Sequence, residues 1–178
     1  MNKYKNSVLF LVKFFITYFL LFTIYAMYLN SSQVKGNGFQ CASITTKVAD
    51  QTVSFLNFFG YNVTSEQHKE EMSVKLLVDN RYTARVIEGC NSISIIILFI
   101  AFIVAFSGPL ITTILYAIVG SFLIYLINIL RIVFLTMMLY KYPNQQMVLH
   151  NLVFPAIIYG ATFLLWVIWV QKFSHHKK

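Results

Sequence analysis

Four long apolar stretches in a chain of 178 residues leave little choice of solvent. They occupy residues 8–29, 91–106, 110–139 and 152–170, and the first is interrupted only by Lys13. A helix satisfies its backbone groups internally, and about 20 apolar residues cross a hydrocarbon core of ~30 Å, so each stretch predicts a transmembrane helix. Composition agrees, since 58% of the residues are hydrophobic and only 11% charged, which is not the balance of a soluble domain. No small-residue cleavage site follows the first apolar core, so that stretch is expected to remain as an anchor. The expected fold is an all-α integral membrane protein of about four transmembrane helices. It forms a single membrane domain over residues 1–178, with residues 30–89 as a small extracytoplasmic loop region.

Charge sets the orientation. Lys3, Lys5 and Lys13 stand at the start, and Lys172, Lys177 and Lys178 at the finish. Positive residues flanking helices stay cytoplasmic, so both termini are expected inside. All six acidic residues (Asp50, Glu66, Glu70, Glu71, Asp79 and Glu88) fall within residues 30–89 beside six basic ones, leaving that segment near neutral and free to be translocated. The net charge of +8 is thus a topology signal. No interleaving of aromatic and basic residues on a soluble face points to nucleic acid.

Within residues 30–89, Val48, Phe55, Leu56 and Phe59 recur at roughly helical spacing with Lys47, Asp50 and Gln51 between them, which predicts an amphipathic helix over 44–59 lying on the membrane. Residues 73–78 and 82–87 are β-prone runs joined around Asp79-Asn80-Arg81, a turn chemistry that predicts a β-hairpin delivering the chain to Cys90. Ser107-Gly108-Pro109 is a tight link that makes the flanking helices antiparallel neighbours, and Pro109 suits a first helical turn because its missing N–H costs nothing there. Tyr142-Pro143-Asn144 marks the turn into the last helix.

Three residues that are costly to bury stand at the edges of these stretches, and the topology places all of them on one side: Cys90, Arg131 and His150. Arg131 lies ~32 Å along a helix counted from Leu110, near the outer boundary of the bilayer. An ionisable group at such depth reads as functional by default, the alternative being an interfacial anchor. Cys90 sits where the chain enters a helix, whose N-terminal partial positive charge favours a thiolate; the alternative is a structural disulfide to Cys41 in an oxidising compartment. His150 opens the last helix, either as a cap or as the proton acceptor and donor that a cysteine nucleophile requires. Asn128, one turn from Arg131, either orients it or makes an ordinary interhelical hydrogen bond. His68 falls in a polar stretch, and His175 and His176 fall on the cytoplasmic side. No His, Cys or carboxylate set has metal-ligand spacing, and no cofactor is expected.

Glu88-Gly89-Cys90-Asn91-Ser92 opening one apolar helix, Asn128-Ile129-Leu130-Arg131-Ile132 near the outer end of the next, and His150 opening the last resemble the exosortase/archaeosortase family of membrane cysteine transpeptidases over residues 78–170. The short length and the Gly-Cys-Asn form resemble the exosortase F subtype of Bacteroidetes-type bacteria. The resemblance implies a bacterial inner-membrane enzyme in which Cys90 is the nucleophile and Arg131 and His150 complete the site. It also implies partners: exported proteins carrying a C-terminal sorting signal of short motif, transmembrane helix and basic tail, cleaved through a thioester. The chain departs from larger members in having about four crossings where they have around eight, and in Asn91 where many carry a small Ser or Thr followed by Gly. The competing class is a non-enzymatic membrane scaffold or assembly partner with a Cys41–Cys90 disulfide. A transporter is disfavoured, because four helices without a midplane polar pair or a repeated half supply no pathway.

Overall fold

A computed structural model describes residues 2–33, 39–106, 108–143 and 153–173. The protein is mostly helical. In chain order it has α1 (Asn2–Ser32), α2 (Ser43–Phe58), β1 (Val63–Gln67), β2 (Ser73–Val78), β3 (Arg81–Ile87), a 3-10 turn (Glu88–Cys90), α3 (Ile93–Ala105), α4 (Leu110–Lys141) and α5 (Phe154–Lys172).

Three helical segments are long and apolar enough to cross a membrane: Ser7–Ser32, Leu110–Lys141 and Pro155–Lys172. The stretch expected to form another crossing, residues 91–106, folds as α3, which has 13 residues and spans about 20 Å. Both of its ends are set locally. The 3-10 turn and Ser92, whose φ of 64° is left-handed, delay the helix to Ile93, and Pro109 two residues beyond Ser107 stops continuation at the other end.

The helix directions follow from ring contacts. Phe10 near the start of α1 packs on Phe102 and Phe106 at the end of α3, with centroids 6.0 and 4.6 Å away. Tyr25, near the other end of α1, reaches Asn91 at the start of α3. Trp169 and Phe173 at the end of α5 pack on Tyr116 in the first turns of α4, at 5.0 and 5.4 Å, and the Tyr116 hydroxyl donates to the Leu165 carbonyl at 2.7 Å. The start of α1 and the end of α5 therefore lie at the same end of the bundle. A core of Phe99, Ile103, Ile124, Ile158 and Trp169 holds α3, α4 and α5 together. Gly120 of α4 faces the Phe99 ring so closely that a methyl group there would overlap it. Large apolar side chains left exposed line α1, α4 and α5, including Phe15, Phe19, Leu115, Phe122 and Phe163, the surface a helix presents to hydrocarbon.

Residues 39–90 form a cap on the opposite end of the bundle. Its sheet has the order β1-β2-β3 and is antiparallel throughout. The sequence reading anticipated a two-stranded hairpin, and β1 joins the sheet as a further strand on β2. Val74, Leu76 and Val78 of β2, with Ala84 and Val86 of β3, put alternate side chains on the buried face. Asp79 and Asn80 turn the chain with φ of 50° and 62°, the left-handed pair that a two-residue hairpin turn demands. Helix α2 buries Val48, Ala49, Thr52 and Leu56 in the cap interior, so its apolar face is spent on protein rather than laid on lipid; Phe58 and Phe59 remain exposed.

Helix α4 joins the two halves. Its 32 residues run about 48 Å, more than a bilayer core requires. The surplus is used: Ile129, Ile132, Val133, Leu135 and Leu139 complete the cap core, and the Tyr140 hydroxyl donates to Asp79 Oδ2 at 2.8 Å.

Candidate active site

The turn that carries Cys90 is fixed on both sides of Gly89. After β3, the chain enters the single 3-10 turn Glu88–Cys90 and then the left-handed Ser92 before α3 begins. The Asn128 side chain amide donates to the Cys90 carbonyl oxygen at 2.7 Å. Asn128 itself is buried at 1% exposure, so its amide would be left without a partner if this bond were lost. Asn91 is equally buried; its amide donates to the Tyr25 hydroxyl at 2.7 Å and to Thr45 Oγ1 at 3.2 Å, while its Oδ1 accepts the Ile93 N–H at 3.1 Å. That last bond satisfies one of the backbone donors an α-helix leaves open at its start. The Ser92 carbonyl then accepts from Ile95 and Ile96.

Glu88 anchors the other side of the turn. Its Oε1 accepts the Ala42 N–H at 2.7 Å, and its Oε2 accepts the Thr45 hydroxyl. Ala42 and Thr45 belong to the N-terminus of α2, where a carboxylate is favoured by the helix dipole. Cys90 is thus held between α2, α4 and, through Asn91, α1. Its side chain is half-buried.

Arg131 is three residues beyond Asn128 on α4, so the two share a face one turn apart. It is half-buried, and its Nε is shielded from water without a hydrogen-bond partner among the described residues. A guanidinium N–H kept from water is costly unless it meets an acceptor. His150 lies outside the described residues. The structure therefore brings Cys90 and Asn128 into direct contact and puts Arg131 on the same helix face.

Cys41 is different in kind. It is 2% exposed, and its sulfur accepts from Gln67 Nε2 at 3.6 Å. Burial pushes its thiol above the ordinary value. In the structure both cysteines are free thiols, whereas the scaffold alternative pairs them.

Glu88, Thr45 and Tyr25 escaped the sequence reading. The one available signal was a glutamate two residues ahead of a cysteine at a strand-to-helix junction, and its partner lies 43 residues away.

The family model for the transmembrane exosortases matches residues 7–170. The chain belongs to that family. The match begins in α1 and ends in α5, so this exosortase carries the family pattern through cap and bundle alike. No curated protein and no solved structure matches it.

Proposed function

We propose that this exosortase is a cysteine protease or transpeptidase that removes C-terminal sorting signals from exported proteins through a thioester on Cys90. The observation that carries the reading is the hydrogen bond from the buried Asn128 to the Cys90 carbonyl, which ties the thiol-bearing turn to the helix face that also bears Arg131. Family membership supports substrates with sorting signals.

In this mechanism a substrate helix lies beside the bundle and brings the peptide bond just outside its membrane segment to the level of Cys90. The thiolate attacks the carbonyl carbon, and the carbonyl oxygen takes up the negative charge, with Arg131 as its donor. As the tetrahedral intermediate collapses, the C–N bond breaks and the leaving amine takes a proton from His150. Water or an amine of an envelope component then attacks the thioester and gives its proton to the now neutral His150; the C–S bond breaks and the thiolate returns. Removing one such acid-base or oxyanion group typically costs about 10²–10⁴-fold in rate. Asn128 supports the site by fixing the turn.

The reading includes a placement: bacterial inner membrane, with both termini cytoplasmic and Cys90 on the outer face. The lysines at both ends of the chain support it. The Gly89-Cys90-Asn91 form supports the short exosortase F type.

The test is complementation. In a host lacking the protein, wild type is expected to restore removal of the C-terminal helix from sorting-signal proteins, read by mass and C-terminal peptide map. Cys90→Ala, at equal membrane abundance, is expected not to. Equal restoration by both overturns the reading.

A further inference from the structure

A carboxylate two residues from a nucleophilic thiol is a liability unless its charge is used elsewhere, because like charges disfavour the thiolate. Both oxygens of Glu88 are engaged by the first turn of α2, one by the Ala42 N–H at 2.7 Å and the other by the Thr45 hydroxyl. The partial positive charge of a helix N-terminus compensates a carboxylate placed there. Thr45 is fully buried and works in two directions: it donates to Glu88, and its oxygen accepts from Asn91 Nδ2 at 3.2 Å. The residues two before and one after Cys90 are therefore tied together through one hydroxyl of α2. Asn91 extends the chain to Tyr25 of α1 at 2.7 Å.

We propose that Glu88 is a positioning residue for Cys90: with Thr45 it clamps the Cys90 turn onto the N-terminus of α2 and keeps its own negative charge there, away from the thiol. The inference rests on the reading of Cys90 as nucleophile and adds α2 to the machinery. Cys90 is then aligned from two sides, by Asn128 at its own carbonyl and by the α2 clamp at its neighbours, so that loss of either lets the turn rotate relative to Arg131.

The experiment uses the full-length protein in native membranes with Glu88→Ala, Glu88→Gln, Thr45→Val and the Glu88→Ala/Thr45→Val double variant. Two readouts run in parallel: processing of a sorting-signal protein, and the rate of Cys90 alkylation by iodoacetamide as a function of pH. Glu88→Ala and Thr45→Val are each expected to lower processing about tenfold or more at equal abundance. The double variant is expected to be no worse than the worse single one, because the two residues are links of one chain and their effects do not add. Glu88→Gln keeps an acceptor for Ala42 and offers a donor to Thr45, so it is expected to retain processing within about threefold. Its alkylation profile is expected to keep the wild-type midpoint, since on the clamp reading the charge it removes faces the α2 N-terminus rather than the Cys90 thiol.

Wild-type processing in Glu88→Ala, losses that multiply in the double variant, or a midpoint shifted down in Glu88→Gln each overturn the clamp. Should Glu88→Ala fail to accumulate, wild-type processing in Thr45→Val overturns it equally. Normal processing by Cys90→Ala sinks the nucleophile reading instead, and the alkylation profiles still report whether the clamp holds the turn.

Discussion

Arg131 bears the sharpest electrostatic demand in the chain: a guanidinium that is the one charged group between Leu110 and Tyr140 on a mostly apolar helix, with its Nε dry and unpaired among the described residues. A planar fork of donors can meet a developing oxyanion or a carboxylate with two parallel bonds, which a lysine ammonium cannot. On the proposed mechanism Arg131→Lys lowers processing by about 10²-fold or more. Measured at equal abundance, near-normal turnover in that variant removes Arg131 from the site. The two thiols make a second prediction. Burial raises the Cys41 pKa, so its thiolate fraction stays low until the pH climbs past the ordinary thiol range, while Cys90 is half-exposed. At about pH 8, near the ordinary thiol pKa, iodoacetamide should modify Cys90 and spare Cys41 in peptide mass mapping, and Cys41→Ser should leave processing intact. Equal labelling of the two would contradict the burial on which the assignment stands. Cys90, Arg131 and Asn128 were legible in the sequence because each punctuates an apolar run, where a polar residue has few reasons to be. Glu88 and Thr45 were not, since their meeting depends on a contact across 43 residues that no local pattern reports.

Elements were legible where one face is apolar and ends are marked. The runs that became β2 and β3 alternate buried and exposed side chains around a left-handed Asp79-Asn80 turn, and Gly108-Pro109 closes the link between α3 and α4. Strand β1 carried no such signal. Val63-Thr64-Ser65-Glu66-Gln67 has one buried apolar residue at its start, and its place in the sheet is made by pairing with β2 rather than by its own pattern. The length of α3 was misjudged for the opposite reason: residues 91–106 read as uninterrupted helix, yet Asn91 and Ser92 are consumed by the Cys90 turn. The α3–α4 contact makes a prediction of its own. Gly120 meets the Phe99 ring with no room for a side chain, and Phe99 is fully buried. Gly120→Leu should force the helices apart at a cost of about 1–3 kcal/mol or more and lower the thermal midpoint in detergent. Gly160→Ala on α5, where nothing lies within 4 Å, is the control; it should be neutral or stabilising by up to about 1 kcal/mol. An unchanged midpoint for Gly120→Leu would mean that α3 and α4 do not pack this way.

At the scale of the whole molecule, α4 serves as a depth ruler. Cys90 meets Asn128, the Phe99 ring meets Gly120 and lies 6.2 Å from Tyr116, and α4 begins at Leu110. The eighteen residues from Leu110 to Asn128 rise about 27 Å, close to the ~30 Å of a hydrocarbon core. The segment from the Cys90 turn through α3 to Pro109 covers that same depth in the opposite direction, although α3 alone reaches only about 20 Å. The helix is short, but Asn91 and Ser92 above it are buried and Gly108 below it lies against Trp169, the protein-lined circumstance in which irregular backbone is tolerated at membrane depth. The topology we propose has four traverses, both termini on the cytoplasmic side, and the cap with Cys90 outside. Reporter fusions decide it. A reporter active only in the cytoplasm should work at both ends of the chain, and a membrane-impermeant maleimide should reach Cys90 in intact cells from which the outer membrane has been stripped. If one terminus is cytoplasmic and the other is not, residues 91–109 do not carry the chain across. The site would then need a different account of how a substrate helix reaches Cys90.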